Sequence, residues 1–105
     1  MTGIELIEAE RRRQIEKEGW TPEHDDSHNL GELSQAGSAY AGVASAQCRG
    51  AGAEEFDGFM MVCEGEWPFE SESWKPNDDP IRNLAKAGAL IAAEIDRLQR
   101  QRTEG

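Results

Sequence analysis

The densest chemistry in the chain is Glu23-His24-Asp25-Asp26-Ser27-His28-Asn29, seven polar residues in succession. Two imidazoles and three carboxylates are plausible ligands for a divalent cation, but their spacing matches no zinc signature. Magnesium, which takes oxygen ligands in octahedral geometry, suits Asp25 and Asp26, with Glu94 as a third carboxylate. The same loop could instead cap the helix that follows it, since Asp and Ser favour N-caps and turns, or touch a ligand directly through His24. All three uses stay open at this point.

Arg11 is the second chemical candidate. Helical spacing sets it on one face with Ile4, Ile7, Gln14 and Ile15, where a guanidinium would be largely desolvated and must find a carboxylate. It could form a core ion pair, run its stem along apolar surface, or aim its planar fork at phosphate or a purine edge. Glu94 lies roughly 80° from the centre of an Ile/Leu seam on the last helix, so it is the carboxylate expected to be half-buried, while Asp96 faces solvent. Lys86 sits on a flank of that helix and is expected to snorkel or to brace a phosphate. Trp20, Trp67, Phe69 and Trp74 carry most of the aromatic bulk. They could close a small core, or Trp67 and Trp74 could stack a nucleobase with Lys75 and Arg82 nearby for phosphate. Cys48 and Cys63 have no metal spacing and no evident Cys/His arrangement, so both are expected to be free, buried fillers of a reducing compartment.

These side chains need elements to hold them, and the periodicity predicts three helices. The first runs from Ile4 to about Lys17, with Thr2 as N-cap and Gly19 as its end. Trp20-Thr21-Pro22 then reads as a turn. The second runs from about Asn29 to Ala46, capped by Asn29 or Ser27, with Leu30, Leu33, Gly37, Tyr40, Ala41 and Ala44 on one face. That face is small apart from Tyr40, so another helix can approach closely. The third has Pro80 at its first position, Asp78 or Asp79 as cap, and Ile81, Leu84, Gly88, Ile91, Ile95 and Leu98 at 3,4 spacing as a seam for a partner helix. Between the second and third helices lies a long irregular connection with Trp67, Phe69 and Trp74, and with Phe59-Met60-Met61-Val62-Cys63 as a short apolar run. A connection of that length is usually functional or a lid. The expected fold is mainly α: one compact three-helix domain, 1–105, with an aromatic-bearing loop.

The balance of 11 Lys+Arg against 21 Asp+Glu gives a formal charge of −10, which repels phosphate backbones and argues against a nucleic-acid groove. Residues 53–80 hold −8 of it, while the first and last segments are close to neutral together. A phosphate-bearing small molecule is therefore compatible with the helices, and the acidic stretch could bind a basic protein. No apolar run approaches a membrane span and the N-terminus lacks the features of a signal peptide, so the chain reads as cytoplasmic. With 37% hydrophobic residues the core of a single copy is thin, and self-association or a bound ligand would add burial.

The ordered set Glu10-Arg11-Arg12-Arg13-Gln14, Glu18-Gly19-Trp20-Thr21-Pro22-Glu23-His24-Asp25-Asp26, Gly31-Glu32-Leu33, Tyr40-Ala41, Trp67-Pro68-Phe69, Trp74-Lys75-Pro76 and Leu84 to Ile95 resembles a family of small phage and prophage proteins. They are described as MazG-like or as the N-terminal domain of dATP/dGTP diphosphohydrolases. The resemblance implies a phage protein in a bacterial host that handles purine nucleotides, either cleaving a dNTP with magnesium or sequestering a nucleotide immune signal. MazG-like enzymes hold magnesium between a Glu-x-x-Glu pair and a Glu-x-x-Asp pair. Here Glu5 and Glu8 have the first spacing, off the apolar face, but Glu94 and Asp96 are two apart and point in different directions. A metal cage would need Asp25, Asp26, Glu32 and Glu94 in another arrangement. A weaker likeness is to the ryanodine-receptor repeat, through Arg13 to Trp20 and Asp25, and it implies a ligand binder.

Overall fold

The structure, a computed structural model, describes residues 1–50 and 67–104. Among the described residues it is mainly helical, with four helices: α1 Gly3–Glu18, α2 Pro22–Asp26, α3 Glu32–Cys48 and α4 Pro80–Glu104, plus a 3-10 turn at Ser71–Ser73. No strand occurs among the described residues. The run Phe59–Cys63 and residues 53–66 of the acidic stretch lie outside them.

Local chemistry sets the helix ends. Thr2 Oγ1 accepts from the Glu5 amide at 3.2 Å while Glu5 Oε1 accepts from the Thr2 amide at 2.8 Å, a reciprocal capping box. Gly19 closes α1 in the left-handed region, φ 73°, which a residue with a Cβ resists. The segment read as a turn and polar loop instead folds into α2, capped by Thr21 and opened by Pro22. N-cap threonine followed by proline is a helix start as well as a turn signal. Gly31, at φ 82°, precedes α3, so the expected caps Asn29 and Ser27 are not used and the helix begins later than periodicity indicated. Leu30 consequently falls before the helix and is exposed rather than buried. Asp79 Oδ1 accepts from the Ile81 amide at 3.0 Å and caps α4 as expected, with Pro80 first.

α4 is the spine against which α3, α1 and the short α2 pack. Leu33, Ala36, Ala39, Tyr40 and Val43 of α3 meet Ala87, Leu90 and Ala93 of α4, with Trp74 closing the core and Trp20, Trp67 and Phe69 partly buried against it. Two glycines permit the close crossings. A Cβ on Gly37 would lie 3.1 Å from Ile91 Cγ1 and 3.2 Å from the Ala87 carbonyl oxygen, and one on Gly88 would lie 2.5 Å from Ile7 Cδ1.

The Ile/Leu seam of α4 is not its buried side: Ile81, Leu84, Ile91 and Ile95 are 45–59% exposed, and Ile4 of α1 is 79% exposed. The helix buries Asn83, Ala87, Leu90, Glu94 and Arg97 instead. These polar residues go inside because each finds partners there. Asn83 donates to Gln47 Oε1 at 2.9 Å and to the Asn77 carbonyl at 2.7 Å, and accepts from the Asn77 amide at 2.8 Å. Cys48, expected inside, is exposed at the end of α3; Cys63 lies outside the described residues.

Candidate functional site

α1 ends, turns and delivers Trp20 to the surface in a fixed posture. The Trp20 amide donates to the Gln14 carbonyl at 3.0 Å, and Arg11 Nη1 donates to the Trp20 carbonyl at 3.2 Å. Arg11 Nη2 simultaneously meets Asp25 Oδ2 at 2.6 Å, with Asp25 fully buried, which pins α2 to α1. Arg11 thus has the carboxylate that burial demanded, and the partner is Asp25.

His24 lies in α2 and His28 two residues beyond its end, and their two imidazoles meet beside Phe69. Trp20 and His24 stack in parallel at 6.2 Å with an interplanar angle of 4°. His24 meets His28 edge-on at 4.8 Å, and His28 meets Phe69 at 5.0 Å in the same manner. These four rings, with Leu33, Pro68, Glu70 and Ser73, line an open cavity of about 520 Å³. Its wall is largely aromatic, with polar atoms at its rim, the composition expected of a site for a planar ligand. His28 Nδ1 lies 3.3 Å from Glu32 Oε2. The Glu32 carboxyl, pushed up by burial but held by the Leu30 amide and His28, titrates below the usual carboxylate range. His24 Nδ1 is 3.5 Å from Asp25 Oδ1, within ion-pair distance but without hydrogen-bond geometry.

A second cavity, about 60 Å³, shares Trp20 and Ser73 with the first as lining residues. Its floor is Glu10, 1% exposed. Glu10 accepts from Arg13 Nε and Nη2 at 2.8 and 2.9 Å, from Gln14 Nε2 at 3.2 Å and from Arg82. Burial pushes the Glu10 carboxyl up, yet the hydrogen bonds and charges of Arg13 and Arg82 outweigh it and hold the group below its usual range. Lys86 Nζ donates to the Lys75 carbonyl at 2.7 Å and stands 5.3 Å over the Tyr40 ring. Burial, aided by Arg82, lowers its pKa.

The remaining candidates are placed as follows. Trp67 and Trp74 do not line the aromatic cavity. Trp74 is buried in a stack on Tyr40 at 4.9 Å, and Trp67 fills the space between Tyr40 and Phe69, so both close the core. Lys75 lines the smaller cavity with Lys86.

The three proposed magnesium ligands are not brought together. Asp25 pairs with Arg11, Asp26 with Arg100 at 2.8 Å, and Glu94 with Arg97 at 2.5 Å and Ser34 at 3.1 Å. Among the described residues no group of three His, Cys, Asp or Glu side chains is arranged to hold a metal ion. An octahedral cation needs several free oxygens converging on one point, and these carboxylates are each committed to a different arginine. They do not fit the ion.

Sequence reasoning did not single out Glu10, Gln14 or Phe69 for a cavity, and raised His28 only as a possible metal ligand. For the first two, a signal was present: Glu10, Arg13 and Gln14 recur at helical spacing as a complementary polar set. In comparison with known proteins, the chain matches no protein-family model, no curated protein and no solved structure.

Proposed function

We propose that this chain is a nucleotide-handling protein that captures a purine-class ligand, with the base held in the aromatic cavity between Trp20, His24, His28 and Phe69. The observation that carries the reading is that cavity: four rings in a continuous chain around about 520 Å³ of open space. Purine rings stack on aromatic faces with useful energy whatever their substituents. Capture is favoured over magnesium-dependent cleavage because Asp25, Asp26 and Glu94 are bound to arginines. The sequence resemblance to phage nucleotide-handling proteins points to the same ligand class.

The test is a titration of the chain with adenosine, guanosine and their 5′-monophosphates, read by tryptophan fluorescence, followed by chromatography of dATP and dGTP after incubation with magnesium. Saturable binding with unchanged nucleotide is expected. Trp20→Ala and, separately, Phe69→Ala weaken binding by about tenfold or more. Release of pyrophosphate would replace capture by hydrolysis.

A homo-oligomer accompanies this reading. The exposed Ile81, Leu84, Ile91 and Ile95 repeat at the spacing of a helix-pairing seam.

No helix among the described residues is long and apolar enough to cross a membrane.

A further inference from the structure

The smaller cavity bordered by Trp20 holds three polar groups whose hydrogen-bonding capacity is unspent. Gln14 is 1% exposed. Its Nε2 donates to Glu10 at 3.2 Å, which fixes the amide orientation, because the reverse would set two acceptors against each other. Its Oε1 is therefore directed away from Glu10 and has no hydrogen-bond partner, an expensive condition for a buried acceptor. The Tyr40 hydroxyl accepts from the Lys75 amide at 3.2 Å, and its own proton has no acceptor among the described residues. Lys86 gives one proton to the Lys75 carbonyl and, among the described residues, has no carboxylate within ion-pair distance. The acids of the cavity are already engaged: Glu10 by Arg13 and Arg82, Glu18 by Arg13 at 2.9 Å. An entering group thus meets an ammonium and a hydroxyl proton.

We propose that this cavity is a subsite for a single phosphate monoester, whose anionic oxygens face Lys86 and the Tyr40 hydroxyl. Charge selects an anion, and a phosphate group offers acceptor oxygens to both donors. Size restricts it further. At about 60 Å³ the space suits a single phosphate group better than a triphosphate chain. Trp20 and Ser73 border both cavities, so a nucleoside monophosphate can place its base in one and its phosphate in the other.

The inference rests on the base-binding reading of the aromatic cavity, and the experiment separates the two. Adenosine, AMP, ATP and inorganic phosphate are titrated by calorimetry into the full chain and into Lys86→Met and Lys86→Arg. AMP is expected to bind about tenfold or more tighter than adenosine, and tighter than ATP. Lys86→Met should bring AMP down to the level of adenosine while leaving adenosine unchanged, and Lys86→Arg should retain the preference. Adenosine and AMP binding alike, or AMP preference surviving in Lys86→Met, overturns the phosphate subsite and leaves the base site standing. Failure of adenosine and AMP alike overturns both. Circular dichroism of Lys86→Met and its unchanged adenosine affinity separate loss of the subsite from loss of the fold.

Discussion

Arg11 and Asp25 meet at 2.6 Å beneath the aromatic cavity, and the pair is the polar joint between α1 and α2. Asp25 has no exposed side-chain surface and Arg11 has 13%, so each charge depends on the other for compensation. Arg11 also donates to the Trp20 carbonyl, so the same guanidinium supports the helix bearing His24 and the residue stacked on it.

Arg11→Met should therefore destabilise the chain by about 3 kcal/mol, because it strands a buried carboxylate. Adding Asp25→Asn should recover most of that loss by removing the charge. Urea unfolding of the two single variants and the double variant measures the coupling; additive effects would show that the pair contributes nothing as a unit.

Glu10 makes stability depend on pH in a defined direction. Its carboxyl titrates below the usual 4.5 in the folded chain, held there by Arg13 and Arg82 against the opposing effect of burial. The charged form therefore stabilises the fold fully above about 4.5, and that stabilisation is lost as pH falls through the lower folded value. Thermal unfolding should show Glu10→Gln less stable than the parent at pH 7, with the gap narrowing toward pH 3. A gap independent of pH would mean that Glu10 acts by packing alone.

The two helix-crossing glycines should respond differently to alanine. On Gly88 the obstruction is the end of the Ile7 side chain, whereas on Gly37 it includes the Ala87 backbone oxygen. Gly88→Ala should cost about 1–3 kcal/mol by overpacking, and Ile7→Ala in the same chain should relieve the clash. Gly37→Ala should be destabilising and should not be rescued by trimming Ile91. Melting temperatures of the singles and the two doubles decide this.

The exposed stripe of α4 predicts self-association. Multi-angle light scattering should give a mass above that of one chain, and Ile91→Glu with Ile95→Lys should reduce it to one chain with helical content retained. A parent that runs as a single chain at all concentrations would remove the homo-oligomer.

Three helix ends were legible in the sequence because capping is local: Thr2, Gly19 and Asp79-Pro80 each act within one turn of themselves, whereas the start of α3 at Gly31 was not. Helix faces were not. Counting aliphatic residues at 3,4 spacing selected Ile4, Ile81, Leu84, Ile91 and Ile95, yet the inward faces carry Glu10, Gln14, Asn83, Glu94 and Arg97 beside alanines. Those polar residues can be buried only because distant segments complete their bonding, Arg82 for Glu10, Gln47 for Asn83 and Ser34 for Glu94. Periodicity along one segment contains no information about such pairings. α2 escaped because five residues are too few to show a period. Part of the site was visible in composition, since Trp20, His24, Lys75 and Lys86 were singled out by type. The commitment of the three acids to arginines was visible only once the helices were assembled.

Gly19 carries a consequence beyond ending α1. Because its left-handed turn directs the next amide back to the Gln14 carbonyl, and Arg11 secures the carbonyl that follows, the Trp20 backbone is anchored on both sides without any ligand. A helix stop signal thus doubles as the aiming device of the aromatic wall, and a ligand arriving there finds one side of its berth already immobilised, with little ordering entropy left to lose.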